Sequence, residues 1–471
     1  MRHINKILQY TLAVGFLSVF SCQSLVDDLD EDPNNPDSAP AELTLAGAMV
    51  ADALVHEGEL ARLAGMWSGY FTGSDRQYIG LWRYNSTATD FDSPWGNLYY
   101  GVVQQTRIIQ EETQETNNQV LRGISQVIEA HAVGTAASLW GDVPYRQAAN
   151  NEEFPNPEYD DQLQVFGDMQ VLLDEAITNL ESGNGTVSAD SDIFFDGDDG
   201  NVVPATWVRV AYTLKARYYL QVGDYAAAYM AAQNGIDTAE GSVIMPHGAS
   251  YLGNMNVYFS FLVFDRAGYL TANNAFGPQL LLDRQNSKTD ESARFSYHFT
   301  GSIPERYDLN TGAAYASEAS FPLITYEENL LTLAEAGARS QSFAVGLGHL
   351  NEFRAYMEAG GYIGAEEDDV TMEEYLEADF QSGGLENDGD VTQDQALLRE
   401  ILEERYLTFI GRLMGFTDMR RTMNETEVRV NVPANVGSQL PERFIYPQSE
   451  VNANTSTPPP VGVFEPTDVN Q

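Results

Sequence analysis

Cysteine, lysine and histidine are all scarce in this 471-residue chain, and each scarcity closes off a class of function. The single cysteine, Cys22, leaves no partner for a disulfide within one chain. Lysine occurs only at Lys6, Lys215 and Lys288, and with 25 basic residues against 69 acidic ones the formal charge is −44. A nucleic acid would be repelled at every phosphate rather than neutralised, which excludes it as a partner. His56, His131, His247, His298 and His349 are scattered and unpaired in sequence, so there is no zinc-binding histidine pair at helical spacing. A nucleophile motif and a phosphate-cradling glycine loop are missing too. With 69 acids, carboxylate pairs at hydrolase-like separations arise by chance and carry no weight. No catalysis is expected. What remains is a globular composition, 43% hydrophobic and 11% aromatic, in a chain long enough to bury a large core. The Asp-rich, Lys-poor balance reads as adaptation to high salt, where screening quenches self-repulsion.

At the N-terminus, Arg2, His3 and Lys6 precede an apolar run over residues 7–20, too short to span a bilayer comfortably and shaped like a secretory signal. It ends Val19-Phe20-Ser21-Cys22, a small residue before the only cysteine, which resembles a bacterial lipobox with a lipid thioether-linked to Cys22. Residues 1–21 are then a signal peptide and 22–40, acidic and Pro-rich without periodicity, a solvated tether. Residues 41–471 form a single domain.

Helical periodicity is clearest over 206–241, where large residues such as Tyr212 and Tyr219 recur against Ala216 and Ala228 on either side of a Gly223-Asp224 break. This resembles a tetratricopeptide unit with Lys215 in place of the usual leucine. Residues 326–361 give a second such pair on the same register, with Leu330, Ala334 and Phe343 at its large, small and large positions. Further helices are expected over 41–67, 95–109, 120–139, 162–180 and 394–421. Two stretches break the pattern: 68–97, dense in aromatics, and 242–321, a loop-rich insert of the length that is usually functional.

Several segments, in order along nearly the whole chain, resemble the SusD/RagB family of outer-membrane lipoproteins. They are the lipobox and acidic tether, Trp95-Gly-Asn-Leu-Tyr99, Gly141-Asp-Val-Pro144, and Asp196-Gly-Asp198 before Trp207 and the Leu214 to Arg217 segment. Tyr326-Glu327 with Leu331, Ala334, Glu335 and Ala336 follows, then Leu402 to Arg405 with Gly411, Asp418, Arg420 and Arg421, and Pro441 to Pro447 with Glu450 and Asn452. The Gly415-Phe416 pair departs from the family, which often has a bulkier aromatic there. The resemblance implies an all-α, SusD-like scaffold of four tetratricopeptide-like hairpins with long irregular ligand-binding loops on one face. It also implies a lipid-anchored protein on the outward face of the outer membrane, a lid over a SusC-like TonB-dependent transporter that captures glycans, or sometimes peptides, without catalysis. A helical-repeat scaffold that binds only proteins is the reading outside the family.

Sugar capture needs flat aromatic faces for the apolar side of a pyranose and polar groups for its hydroxyls. The 68–97 stretch supplies both, which makes Trp82, Tyr78, Tyr84 and Tyr70 with Arg76, Asp75 and Arg83 the candidate ligand-binding residues. Trp95 is assigned to packing. The insert adds Tyr258, Phe259, Tyr269, Phe276 and Tyr297, with no spacing that separates stacking rings from packing ones. No cofactor is expected; Asp192, Asp196 and Asp198, which crowd one loop, are calcium candidates, although the loop lacks the glycine and terminal glutamate of an EF-hand.

Overall fold

A computed structural model describes residues 39–301, 306–366 and 370–470, so the expected signal peptide, nearly all of the tether and Cys22 lie outside the described residues. The described chain is built of helices with a few two- to four-residue strands. Its central element is Gln119–Trp140, buried on almost every side from Gly123 onward. Alanine, glycine and serine over 130–138 keep that helix thin, so neighbours can pack against all its faces. The expected hub over 206–241 lies against it instead. Asn118 caps the central helix by accepting from Leu121 N at 3.1 Å, and Gly141, at φ +84°, stops it.

Four antiparallel helix pairs follow the expected repeats: Gln119–Trp140 with Gln162–Glu181, Pro204–Gln221 with Tyr225–Ala232, Tyr326–Ser340 with Phe343–Glu358, and Gln393–Thr408 with Leu413–Arg421. Asp224 and Ser342 cap the second helices of the two middle pairs by accepting from Ala227 N and Val345 N. The ring that locks the Pro204–Gln221 helix to the central helix is Tyr218. It is 1% exposed, and its hydroxyl donates to Ala130 O at 2.7 Å. A Cβ at Gly134 would lie 2.2 Å from Tyr218 Cζ, so the central helix must be bare where that ring passes. Tyr212 and Tyr219, the expected knobs, are only half-buried, while Ala216 and Ala228 are fully buried as expected.

Helix boundaries depart from the periodicity where the backbone breaks. The 41–67 segment divides at Gly58 into Ala41–Glu57 and Glu59–Trp67, the 95–109 segment contains a π-helical turn over Asn97–Val103, and the 394–421 segment divides around Gly411, at φ +82°.

Much of the buried charge is gathered into ion pairs. Glu335, fully buried, receives Arg421 at 2.6 Å, Arg339 at 3.0 Å and Arg405 at 3.3 Å, and Arg405 also reaches Asp418 at 2.8 Å. Three guanidinium groups hold the Glu335 carboxyl well below its ordinary range, against the opposing effect of burial. Lys215, where a leucine was looked for, is buried with Nζ 2.6 Å from Asp174 Oδ1. Lys288 donates to Asp379 Oδ2 at 2.7 Å and to Glu374 O at 2.9 Å.

The insert has structure of its own. Its base is closed by an antiparallel pair, Val243–Met245 against Phe321–Ile324, with Val243 opposite Ile324 and Met245 opposite Phe321. A second pair, Thr72 opposite Thr271 and Gly73 opposite Leu270, stitches the aromatic 68–97 stretch to it.

Candidate functional site

The stitched region brings the two aromatic stretches together, and the structure sorts their rings into interior and surface. Three expected stacking rings are corrected: Tyr70, Tyr78 and Tyr84 are 0%, 4% and 6% exposed and are committed to packing. The Tyr70 hydroxyl donates to Tyr406 O at 2.6 Å, and a Cβ at Gly415 would lie 2.0 Å from that hydroxyl, which explains the glycine in the Gly415-Phe416 pair. Tyr78 accepts from Arg62 Nε at 3.0 Å and lies on Phe261, ring centres 5.0 Å apart. Tyr84, at φ +67°, accepts from Asn435 N at 2.6 Å and meets Trp67 edge-on.

The remaining candidates sit at the surface. Asp75 caps the short Arg76–Trp82 helix, with Oδ1 accepting from Arg76 N, and Asp75, Arg76 and Arg83 are exposed. Trp82 is half-buried against the core. Trp95 packs as assigned, edge-on to Trp140 with its Nε1 donating to Glu450 Oε2 at 3.3 Å.

Within the insert, Tyr258 is fully buried, and its hydroxyl donates to Gly411 O at 3.0 Å. The rings that face solvent are Tyr251 and Phe264, 42% and 53% exposed, with centroids 4.6 Å apart and planes inclined by 42°. Tyr251 donates to Asp265 Oδ1 at 2.7 Å, which fixes the ring and orients a carboxylate at its edge. That bond to Asp265 also raises the phenol's pKa above its ordinary value, with burial and the carboxylate's charge adding to it. Beside Tyr251 runs a groove of about 260 Å³ that Arg62, Phe261 and Asp265 also line. Arg62 spans the Phe261 ring at 4.3 Å, and its Nη1 is buried with no hydrogen-bond partner among the described residues. Tyr269, next along, is flanked by the guanidinium groups of Arg76 at 5.8 Å and Arg266 at 5.9 Å. Arg76 thus borders this platform, whereas Trp82 packs against the core.

Sequence reasoning passed over Tyr251 and Phe264. Their one local signal is placement beside glycine and asparagine turns without helical period; exposure itself is set by neighbours distant in sequence.

The calcium candidates do not converge. Asp192 is buried, with Oδ1 accepting from Phe194 N and Phe195 N and Oδ2 from Trp207 Nε1 at 2.8 Å, so it acts as a turn-closing acceptor, while Asp196 and Asp198 are exposed. Two histidines that looked unpaired meet in the core: His56 and His131 stack at 3.8 Å with planes 3° apart, and His131 Nδ1 lies 2.7 Å from Asp52 Oδ2. Burial pushes Asp52 up to about 6 and His56 down to about 3, so both rings are neutral at physiological pH.

Residues 33–253 match the family model SusD-like_2, described as "Starch-binding associating with outer membrane". No match was found among curated proteins. Among solved structures, the fold is similar to a SusD/RagB family protein from Bacteroides thetaiotaomicron, at 20% identity over 89% of this chain and 95% of that one with a TM-score of 0.68. It is also similar to a SusD homolog from Bacteroides uniformis, at 17% identity, 91% and 99% coverage and TM-score 0.68. A third is a chitin-binding SusD homolog from Flavobacterium johnsoniae, at 15% identity, 90% and 98% coverage and TM-score 0.65. The matched family description is one of binding and not of catalysis. No helix among the described residues is long and apolar enough to cross a membrane.

Proposed function

We propose that the chain, whose fold is similar to that of SusD homologs, captures a glycan at the cell surface and delivers it to a SusC-like TonB-dependent transporter, held to the outer membrane by a lipid on Cys22. The observation that carries the glycan reading is the solvent-facing Tyr251 and Phe264 pair, with Tyr251 bordering the groove lined by Phe261 and Arg62. Flat aromatic faces cover the C–H side of a pyranose, while Asp265, Arg266, Arg76 and Asp75 around them offer donors and acceptors to its hydroxyls. Trp82 and Arg83 lie farther along the same stretch and would extend the surface along a longer chain. Starch, from the family description, and chitin, from the Flavobacterium relative, are the first polymers to try.

The test is native affinity electrophoresis of the chain from residue 22, with Cys22→Ala, through gels holding soluble starch, glycol chitin and other polysaccharides, each assayed for released reducing sugar. Retardation by a polymer without sugar release, abolished by Phe264→Ala, is the expected result. If no polymer retards the protein, weight moves to peptide ligands of the same fold; retardation undiminished in Phe264→Ala removes the platform from the site.

A further inference from the structure

The insert also lines a cleft of about 560 Å³ between residues 297–298 and 313–322, the turn at 361–363 and Arg412, within the roughly 300–1,000 Å³ range of small-molecule sites. Its walls are aromatic, including Tyr297, Tyr315, Phe321 and Tyr356. What distinguishes it is polar groups left open. His298 is 5% exposed, lines the cleft, and has no hydrogen-bond partner on either ring nitrogen among the described residues. The same holds for Thr408 Oγ1, 1% exposed, and for the Tyr315 hydroxyl. Buried polar atoms are almost always satisfied, and leaving one unpaired is destabilising, so several around one cavity point to an occupant that completes them.

The charged groups indicate what that occupant is. Arg412 is engaged with Glu327 Oε1 at 2.7 Å and Thr325 Oγ1 at 3.2 Å, so neither ion is free to bind a counter-charge. Arg294, behind His298, is held by Glu291 at 2.5 Å and by Glu404 at 2.9 Å. The open groups are an imidazole and three hydroxyls, those of Thr408, Tyr315 and Tyr362, each able to donate and to accept. Burial, with Arg294 and Arg412 adding to it, holds His298 at about 3, so the ring stays neutral. Such a set matches hydroxyls, which also donate and accept, and suits neither a phosphate nor an ammonium.

We propose that this cleft is a second binding site, separate from the surface platform, for one small neutral polyhydroxylated ligand of the size of a mono- or disaccharide. His298 and Thr408 are its hydrogen-bonding residues and the tyrosine walls take the ligand's apolar faces. The assignment stands on the cleft's own chemistry and does not need the platform to bind polymer.

The test titrates the chain from residue 22, with Cys22→Ala, with glucose, galactose and N-acetylglucosamine, and with glucuronate and glucosamine as charged counterparts, by saturation-transfer NMR and calorimetry. Saturable binding of a neutral sugar is expected, weakened at least tenfold in His298→Leu and in Thr408→Val and unchanged in Phe264→Ala. Because those two polar groups have no partner within the protein, melting temperatures of both variants should be unchanged or higher, which separates lost contacts from lost folding. Binding lost in Phe264→Ala and kept in His298→Leu would place the monosaccharide on the platform and overturn the proposal. Absence of saturable binding by all three neutral sugars, or preference for a charged counterpart, would overturn it as well. Polymer retardation is read separately, so a platform that fails leaves the cleft standing, and the reverse.

Discussion

The repeats and the face built by the insert differ in how they treat their buried polar groups. In the repeats the main buried charges are gathered with their complements: Glu335 is shared by three arginines, and Arg217 reaches both oxygens of Glu328 at 2.6 Å, while Arg420, held only by backbone carbonyls, is the exception. On the insert side, His298, the Tyr315 hydroxyl and Arg62 Nη1 are buried and unmatched, and two large rings stand in solvent. Matched networks hold helices in register; open groups cost stability and persist where another molecule completes them. The difference separates architecture from recognition without any knowledge of the ligand.

That contrast breaks first, if it breaks, at Glu335. Glu335→Leu removes the carboxylate that three arginines share, leaving Arg405 and Arg421 with Asp418 alone and Arg339 with Glu425, and should cost about 3–5 kcal/mol in denaturant unfolding; a loss under about 1 kcal/mol would mean the network is not what holds the repeats. Gly134→Ala comes next. Its methyl meets the rigid Tyr218 ring, and the expected loss is about 1–3 kcal/mol, smaller if Tyr218 is also shortened to leucine.

On the insert side the expected effects are smaller and of different kind. His298 has a folded pKa of about 3, below the ordinary 6.5, so its contribution to stability is present in full above pH 6.5 and is lost as pH falls toward 3. At pH 5.5 that amounts to about 1.4 kcal/mol, which His298→Leu should restore relative to the parent in melts across pH 7.5 to 5. Identical pH profiles for the two proteins would show that the ring is not buried as described. Phe264→Ala should change stability by no more than about 0.5 kcal/mol while removing glycan retardation. A large drop in its melting temperature would reassign Phe264 to packing and dissolve the distinction between the two regions.

Much of the architecture was legible because it is local. Apolar spacing and the Gly223-Asp224 break give the hairpins, and the insert expected over 242–321 is closed at its base by the strand pair that begins at Val243. The family-like residues Glu335, Arg405, Asp418 and Arg421 prove to be one ion network, which spacing alone does not reveal. The site was less legible because exposure is not local. Tyr70 is taken into the core by Tyr406, and Tyr84 by Asn435, each more than 300 positions away. The same holds for His56 and His131, whose stacking depends on two helices meeting. Aromatic density located the right neighbourhood; which ring faces outward is decided by partners that periodicity cannot name.

Lys215 and Lys288 carry one practical consequence. Both ammonium groups are engaged in ion pairs, and the third lysine, Lys6, belongs to the expected signal peptide. Amine-directed acylation should therefore find few targets on the folded chain and should proceed at each site only as fast as that site opens. Lys215 lies in a repeat helix and Lys288 in the insert, so the chain carries one chemical clock for each region, and mass spectrometry of the two peptides would time their openings independently, in free protein and with sugar bound.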